Sequence, residues 1–94
     1  MISKEHAIQI FSEHLEKTQD IEVVVLTDAT VEKPYGWVFF FESKKYVETG
    51  NIRSRLLGAG PTVVLRDGSM HPLSTAYPLE TALSKFELEH GLTP

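Results

Sequence analysis

Four histidines, thirteen acidic residues and no cysteine bound the chemistry open to this 94-residue chain. His6 and His14 are eight residues apart, which on a helix rising 1.5 Å per residue is about 12 Å, too far to share a metal ion. A metal site needs several ligands converging on one point. With no HExxH or EF-hand spacing present, His6, His14, His71 and His90 read as surface histidines. Gly58-Ala59-Gly60 suggests a phosphate loop only at first sight. Such loops follow a strand and open a helix, whereas these glycines end a helical turn and precede a strand, with no GK[ST] behind them. The acid pairs are equally undiagnostic. Glu42 and Glu48 flank a long crossing, and Glu87 and Glu89 are two apart on a predicted helix, where such residues point away from each other. No GxSxG elbow surrounds Ser43, Ser54 or Ser69. The absence of cysteine excludes disulfides, thiol catalysis and cysteine-based zinc sites. The residues therefore predict a protein that acts by contact, without catalysis, metal or cofactor.

The stretch that must organise the fold is Tyr35-Gly36-Trp37-Val38-Phe39-Phe40-Phe41-Glu42. It holds the only Trp and three of the five Phe. Aromatic and β-branched residues suit a pleated, half-buried surface. At period two, Tyr35, Trp37, Phe39 and Phe41 share one face and Val38 and Phe40 the other. A strand apolar on both sides is a central strand covered on both faces. RNA-binding sheets interleave Arg or Lys with their aromatics; this strand carries neither, which favours a packed core or a partner surface.

Around it the chain predicts two terminal helices. Ser3 is a good N-cap, and Ala7, Ile8, Phe11 and Leu15 recur at helical spacing over residues 4–18. Leu79, Ala82, Leu83 and Phe86 form a second stripe after Pro78, with Gly91 as its stop. The β-branched Ile21–Thr27 run is a strand, and an antiparallel hairpin to the aromatic strand is the economical connection, the two forming the middle of the sheet. Residues 42–57 form a long charged crossing with a short helical turn near 51–57, broken by Gly58-Ala59-Gly60-Pro61. Thr62–Arg66 is another strand. Asp67-Gly68 signals a type I′ turn back through Ser69–Leu73, with Pro72 placing that return at the sheet edge. The expected architecture is α+β, with an N-terminal helix, a four-stranded antiparallel β-sheet and a C-terminal helix in a single domain over residues 1–94.

Composition agrees. At 41% hydrophobic and 23% charged, the chain is ordinary for a folded soluble domain. No apolar run reaches the roughly 18 residues of a membrane span, and the N-terminus lacks the apolar core of a signal peptide. A cytoplasmic location and no membrane partner are expected. The net charge of −4 divides into −4 over residues 1–30, +3 over 31–66 and −3 over 67–94. A pI near 5.5 argues against nucleic-acid binding, which needs a clustered basic face.

Several blocks together carry a family resemblance. The run Tyr35 to Phe41, followed by Ser43-Lys44-Lys45-Tyr46 and Glu48-Thr49-Gly50, resembles the strand and "ET-G" pattern of the immunity protein 35 domain family. Leu57-Gly58-Ala59-Gly60-Pro61 before Val63-Val64, and Thr75-Ala76-Tyr77-Pro78-Leu79-Glu80, are similar to its later blocks. The resemblance spans residues 3–90. Ser74 stands where Gly is usual, Ala59 where Asn is common, and the turn at Arg66-Asp67-Gly68 is shorter than typical. The resemblance implies a non-enzymatic immunity protein that binds and neutralises a cognate polymorphic toxin. One branch of the family instead resembles a small heat-inducible chaperone, for which the partner is an unfolded client protein. It carries over no catalytic residues. The candidate partner-binding residues are those of the charged crossing, Lys44, Lys45, Glu48, Arg53 and Arg55, with Tyr35 at the edge of the aromatic strand. For each the bland alternative is a solvated surface position, and a monomer and a homodimer both stay open.

Overall fold

The computed structural model describes residues 1–56 and 60–93. In chain order these form α1 (Lys4–Thr18), β1 (Val23–Val25), β2 (Val31–Lys33), β3 (Gly36–Phe39), β4 (Phe41–Ser43), α2 (Lys44–Thr49), β5 (Thr62–Leu65), β6 (Met70–Pro72) and α3 (Leu79–His90). Short 3-10 turns occupy Thr27–Ala29 and Ile52–Ser54. The class is α+β, as expected. Strands β2-β3-β5-β6 form one antiparallel sheet, and β1-β4 a second, two-stranded one.

Two sheets replace the single four-stranded sheet because the first hairpin is interrupted. Val31 pairs with Val38 and Lys33 with Gly36, whereas Val25 pairs with Phe41 and Val23 with Ser43. Between these two ladders the register steps by three residues, the length of the 3-10 turn Thr27–Ala29 inserted in the first arm. The aromatic arm responds by leaving the ladder at Phe40, whose carbonyl still accepts from Leu26 N–H at 2.8 Å. The hairpin expectation thus holds in outline, but both arms are split, the first into β1 and β2 and the aromatic one into β3 and β4. The first arm is also not central. β1 and β2 both end their sheets, and the interior strands are β3 and β5.

The aromatic arm keeps its alternation through the break. Trp37, Phe39 and Phe41 face α1, where Phe11 stacks on Phe39 with ring centroids 5.6 Å apart and meets Phe41 edge-on at 5.9 Å. Val38 and Phe40 face the other way, with Val63 packing among Leu83 and Phe86 of α3. Both faces of β3 are therefore covered by helices. Burying a side chain of this size stabilises the fold by about 1.5–3 kcal/mol, so the two faces together supply most of the core.

Tyr35 departs from its expected place on the Trp37 face. It sits in the Pro34–Tyr35 turn joining β2 to β3, outside the pleat, and its ring lies 6.3 Å from Phe86 on the α3 side. Gly36 permits this tight entry. A Cβ there would collide with the carbonyl oxygen of Val64 and lie 2.9 Å from the Cα of Leu65, so the β3–β5 approach requires glycine.

Helix boundaries follow their capping residues. Ser3 Oγ accepts from His6 N–H at 3.1 Å to start α1, and Gly91, at φ 64°, ends α3. Pro72 lies on the edge strand β6, where its missing N–H is no loss. The β5–β6 turn is not type I′. Gly68 takes φ 90° but Asp67 does not turn left-handed, because its Oδ1 accepts from both the amide and the hydroxyl of Ser69 at 2.8 and 2.6 Å. Those bonds hold the Asp67 carboxyl below its usual range, the Ser69 hydroxyl first. The result is a three-residue loop with a glycine bulge.

Candidate functional site

The charged crossing is built from consecutive caps. Ser43 Oγ accepts from Tyr46 N–H at 3.2 Å and starts α2. Gly50, at φ 69°, stops it, with its N–H donating to Tyr46 O at 2.7 Å. Thr49 Oγ1 then accepts from Asn51 N–H at 3.1 Å, and Asn51 Oδ1 accepts from Arg53 N–H at 3.1 Å, opening the 3-10 turn. Helix α2 was not expected from the sequence, although its two signals, Ser43 as N-cap and Gly50 as stop, are both legible there. The expected helical turn near 51–57 is present as Ile52–Ser54. Of the expected break at Gly58-Ala59-Gly60-Pro61, Gly58 and Ala59 lie outside the described residues.

Glu42 fastens this segment to the sheet. Its Oε2 accepts from Ser43 N–H and Leu56 N–H, both at 2.8 Å, and the second bond spans fourteen residues of chain. Arg55 Nε stands 4.0 Å from Oε1 of the same carboxylate, whose side chain is only 13% exposed. The effect is to fold the crossing back beside β4. Sequence reasoning noted Glu42 only as a possible acid. A strand residue followed by a long loop gives no sign that its carboxylate will collect the loop's amides.

What results is a cup of about 520 Å³ walled by Lys44, Lys45, Glu48, Arg53 and Arg55, with Ile21 and Leu56 as apolar floor. Five of the six candidate residues meet here. Lys44 Nζ is 3.2 Å from Glu22 of the neighbouring strand end, and that carboxylate raises the ammonium above its ordinary value. Among the described residues, Lys45 and Arg53 have no carboxylate within ion-pair distance. Four cations against Glu22, Glu42 and Glu48 leave the cup with a net charge of +1, and exposed Val47 and Ile52 stand on the two elements that form it. A concave patch in which two of four cations, Lys45 and Arg53, are unpaired among the described residues, beside exposed aliphatic side chains, is suited to an acidic protein surface.

Tyr35 does not join them. Its hydroxyl donates to Glu87 Oε2 at 2.7 Å, and Lys33 Nζ lies 3.6 Å from the same oxygen. Burial, then the Glu87 hydrogen bond, pushes the phenol well above its usual value, so it stays a neutral donor. Its geometry is that of a fastening between the β2–β3 turn and α3. Of the histidines, His71 and His90 approach each other at 5.2 Å between ring centroids, both against Phe86. Among the described residues no group of three or more His, Cys, Asp or Glu could hold a metal ion.

Fold and cup together define a small α+β protein whose distinguishing surface is a charged concavity built on a sheet edge. A sequence model described as immunity protein 35 matches residues 5–87, and the chain belongs to that family. A relative described as uncharacterized protein YrhB, from Escherichia coli strain K12, is 37% identical over 71 residues, covering 74% of this chain and 73% of that protein. No solved structure matches. Among the described residues, no helix is long and apolar enough to cross a membrane.

Proposed function

We propose that this chain is a non-enzymatic immunity protein that binds and neutralises a cognate polymorphic toxin in the cytoplasm of the cell that makes both. Membership of the immunity protein 35 family supports the role. The observation that carries the contact face is the convergence of Lys44, Lys45, Glu48, Arg53 and Arg55 on one basic cup, with Lys45 and Arg53 unpaired among the described residues. Neutralisation by occlusion needs roughly 800 Å² of surface on each partner. The cup is large enough to seat the centre of such an interface, where unpaired cations gain most from a complementary acidic surface. Tyr35 is assigned a structural task instead.

The test is coexpression with toxin domains encoded beside this gene in its own genome. Rescue of growth, with recovery of a stoichiometric complex by affinity purification, is the expected result. Rescue should weaken when Lys45 and Arg53 are both changed to Glu. Failure of every neighbouring toxin to bind would overturn the reading. So would equal suppression of aggregation of an unrelated unfolded protein, which is the behaviour of a general client binder.

A further inference from the structure

A second concavity, of about 780 Å³, runs along β1 and meets the cup at Ile21, Glu22 and Lys44, which line both. One wall is α1, through Ile8, Leu15 and Glu16; the other is β1 itself. Side chains alternate along a strand, and Val23 and Val25 pack into the core beneath α1 while Val24 lies on the opposite side. All three nevertheless line this one cavity. The cavity therefore follows the strand's edge, not either of its faces.

That edge is open. Among the described residues, strand β1 has one neighbour, β4. Leu26 N–H donates to Phe40 and Lys44 N–H to Glu22, so Glu22, Val24 and Leu26 direct their backbone groups toward β4. In an antiparallel ladder the intervening residues point theirs the other way. Val23 and Val25 accordingly present their N–H and C=O groups to the groove. Natural sheets protect such edges with lysine, proline or a covering loop. Strand β1, Val23–Val25, itself carries neither lysine nor proline and is three residues long.

The charge on the groove selects an occupant. Among the described residues, Glu16, Asp20 and Glu22 line it against one cation, Lys44, which is already paired with Glu22. A second copy of the chain pairing β1 to β1 would bring one groove of net charge −2 against another, which disfavours it. We infer that the α1–β1 groove accepts an extended, lysine- or arginine-bearing segment of a partner protein, which adds a strand to β1 through Val23 and Val25. From Ile8 to Gln19 the helical wall runs roughly 16 Å, enough for about five residues of extended chain. Backbone bonds supply register, and the acids at the rim supply sign. The inference rests on the immunity reading only for the identity of the protein that carries the segment.

The probe is a six-residue peptide alternating Lys and Val, blocked at both ends, titrated into the full chain and followed by amide NMR. Binding should shift the Val23 and Val25 amides and slow their hydrogen exchange. It should weaken at least tenfold in 0.5 M salt and at least tenfold in a Glu16→Lys, Asp20→Lys double variant, both sites being exposed. The same peptide N-methylated at alternate residues should lose binding, a control that leaves the protein untouched. Four results would overturn the inference: no binding at millimolar peptide, equal binding by the Glu-Val counterpart, shifts confined to Lys45 and Arg53, or concentration-dependent self-association protecting Val23 and Val25. Because no toxin enters this experiment, peptide binding without toxin rescue would leave the groove standing and sink the immunity role. Rescue without peptide binding would do the reverse.

Discussion

The hydroxyl of Tyr35 donates a 2.7 Å hydrogen bond to Glu87, a residue 52 positions further along the chain and 7% exposed. It joins the turn at one end of the central hairpin to the last helix, and its proton makes the bond. Folding raises the phenol above its ordinary value of 10.0. The folded state therefore holds a proton that the unfolded state gives up first. This contribution is complete below about pH 10 and is lost as pH climbs from there toward the folded value. Urea unfolding at pH 8 and pH 10.5 should show the native chain losing more stability over that interval than Tyr35→Phe. At pH 8 that variant should be about 1–2 kcal/mol less stable, since a buried carboxylate loses a donor.

Glu42 offers a test of how the cup is held. Glu42→Ala leaves the amides of Ser43 and Leu56 without their acceptor, and should cost roughly 2–3 kcal/mol. Amide exchange at Leu56 should accelerate toward that of a free loop. Both lost bonds end on the same oxygen, so Glu42→Gln, which keeps one carbonyl oxygen, should cost less than about 1 kcal/mol. Equal effects of the two substitutions would mean that the crossing is held by something else.

Gly36→Ala should be among the most damaging single-methyl additions in the chain. The new Cβ meets backbone atoms of Val64 and Leu65 on a neighbouring strand, which cannot rotate away as a side chain can. A loss of at least about 3 kcal/mol by thermal or urea unfolding is expected. The same change at Gly50, where among the described residues no atom beyond its chain neighbours lies within 4 Å of the added Cβ, removes only the freedom to adopt φ 69° and should cost about 1–2 kcal/mol.

Lys45→Glu and Arg53→Glu separate binding from stability. Both residues are exposed and unpaired among the described residues, so the unfolding free energy should change by no more than about 0.5 kcal/mol. Under the proposed function, association with the toxin should slow at least about tenfold at low ionic strength, with the difference shrinking as salt is raised. Unchanged association rates would move the contact face away from the cup.

Local pattern made much of the scaffold legible. The apolar stripe at Ala7, Phe11 and Leu15 behind a Ser3 cap gave α1 its observed bounds, because helix periodicity and capping are properties of neighbouring residues. The two-sided aromatic run gave, over Gly36–Phe39, a central strand covered on both faces for the same reason, while Phe41 falls in β4 at the end of the second sheet. The charged crossing announced a cluster of basic residues, and Ser43 and Gly50 carried the marks of a short helix that charge alone obscured.

What the residues dictated by themselves was the class, the two helical stripes, the buried aromatic arm and its family pattern; each follows from side-chain type at fixed short spacing. Only the tertiary structure decided the three-residue register step, because pairing depends on which partner the chain meets in space. It alone turned Tyr35 away from Trp37 to Glu87, and it alone set Glu42 against the amide of Leu56. Such bonds join residues far apart in sequence, and nothing in either residue's neighbours encodes where the other will arrive. The open edge of β1 has the same origin: a strand is known to be an edge only once all its possible partners are placed.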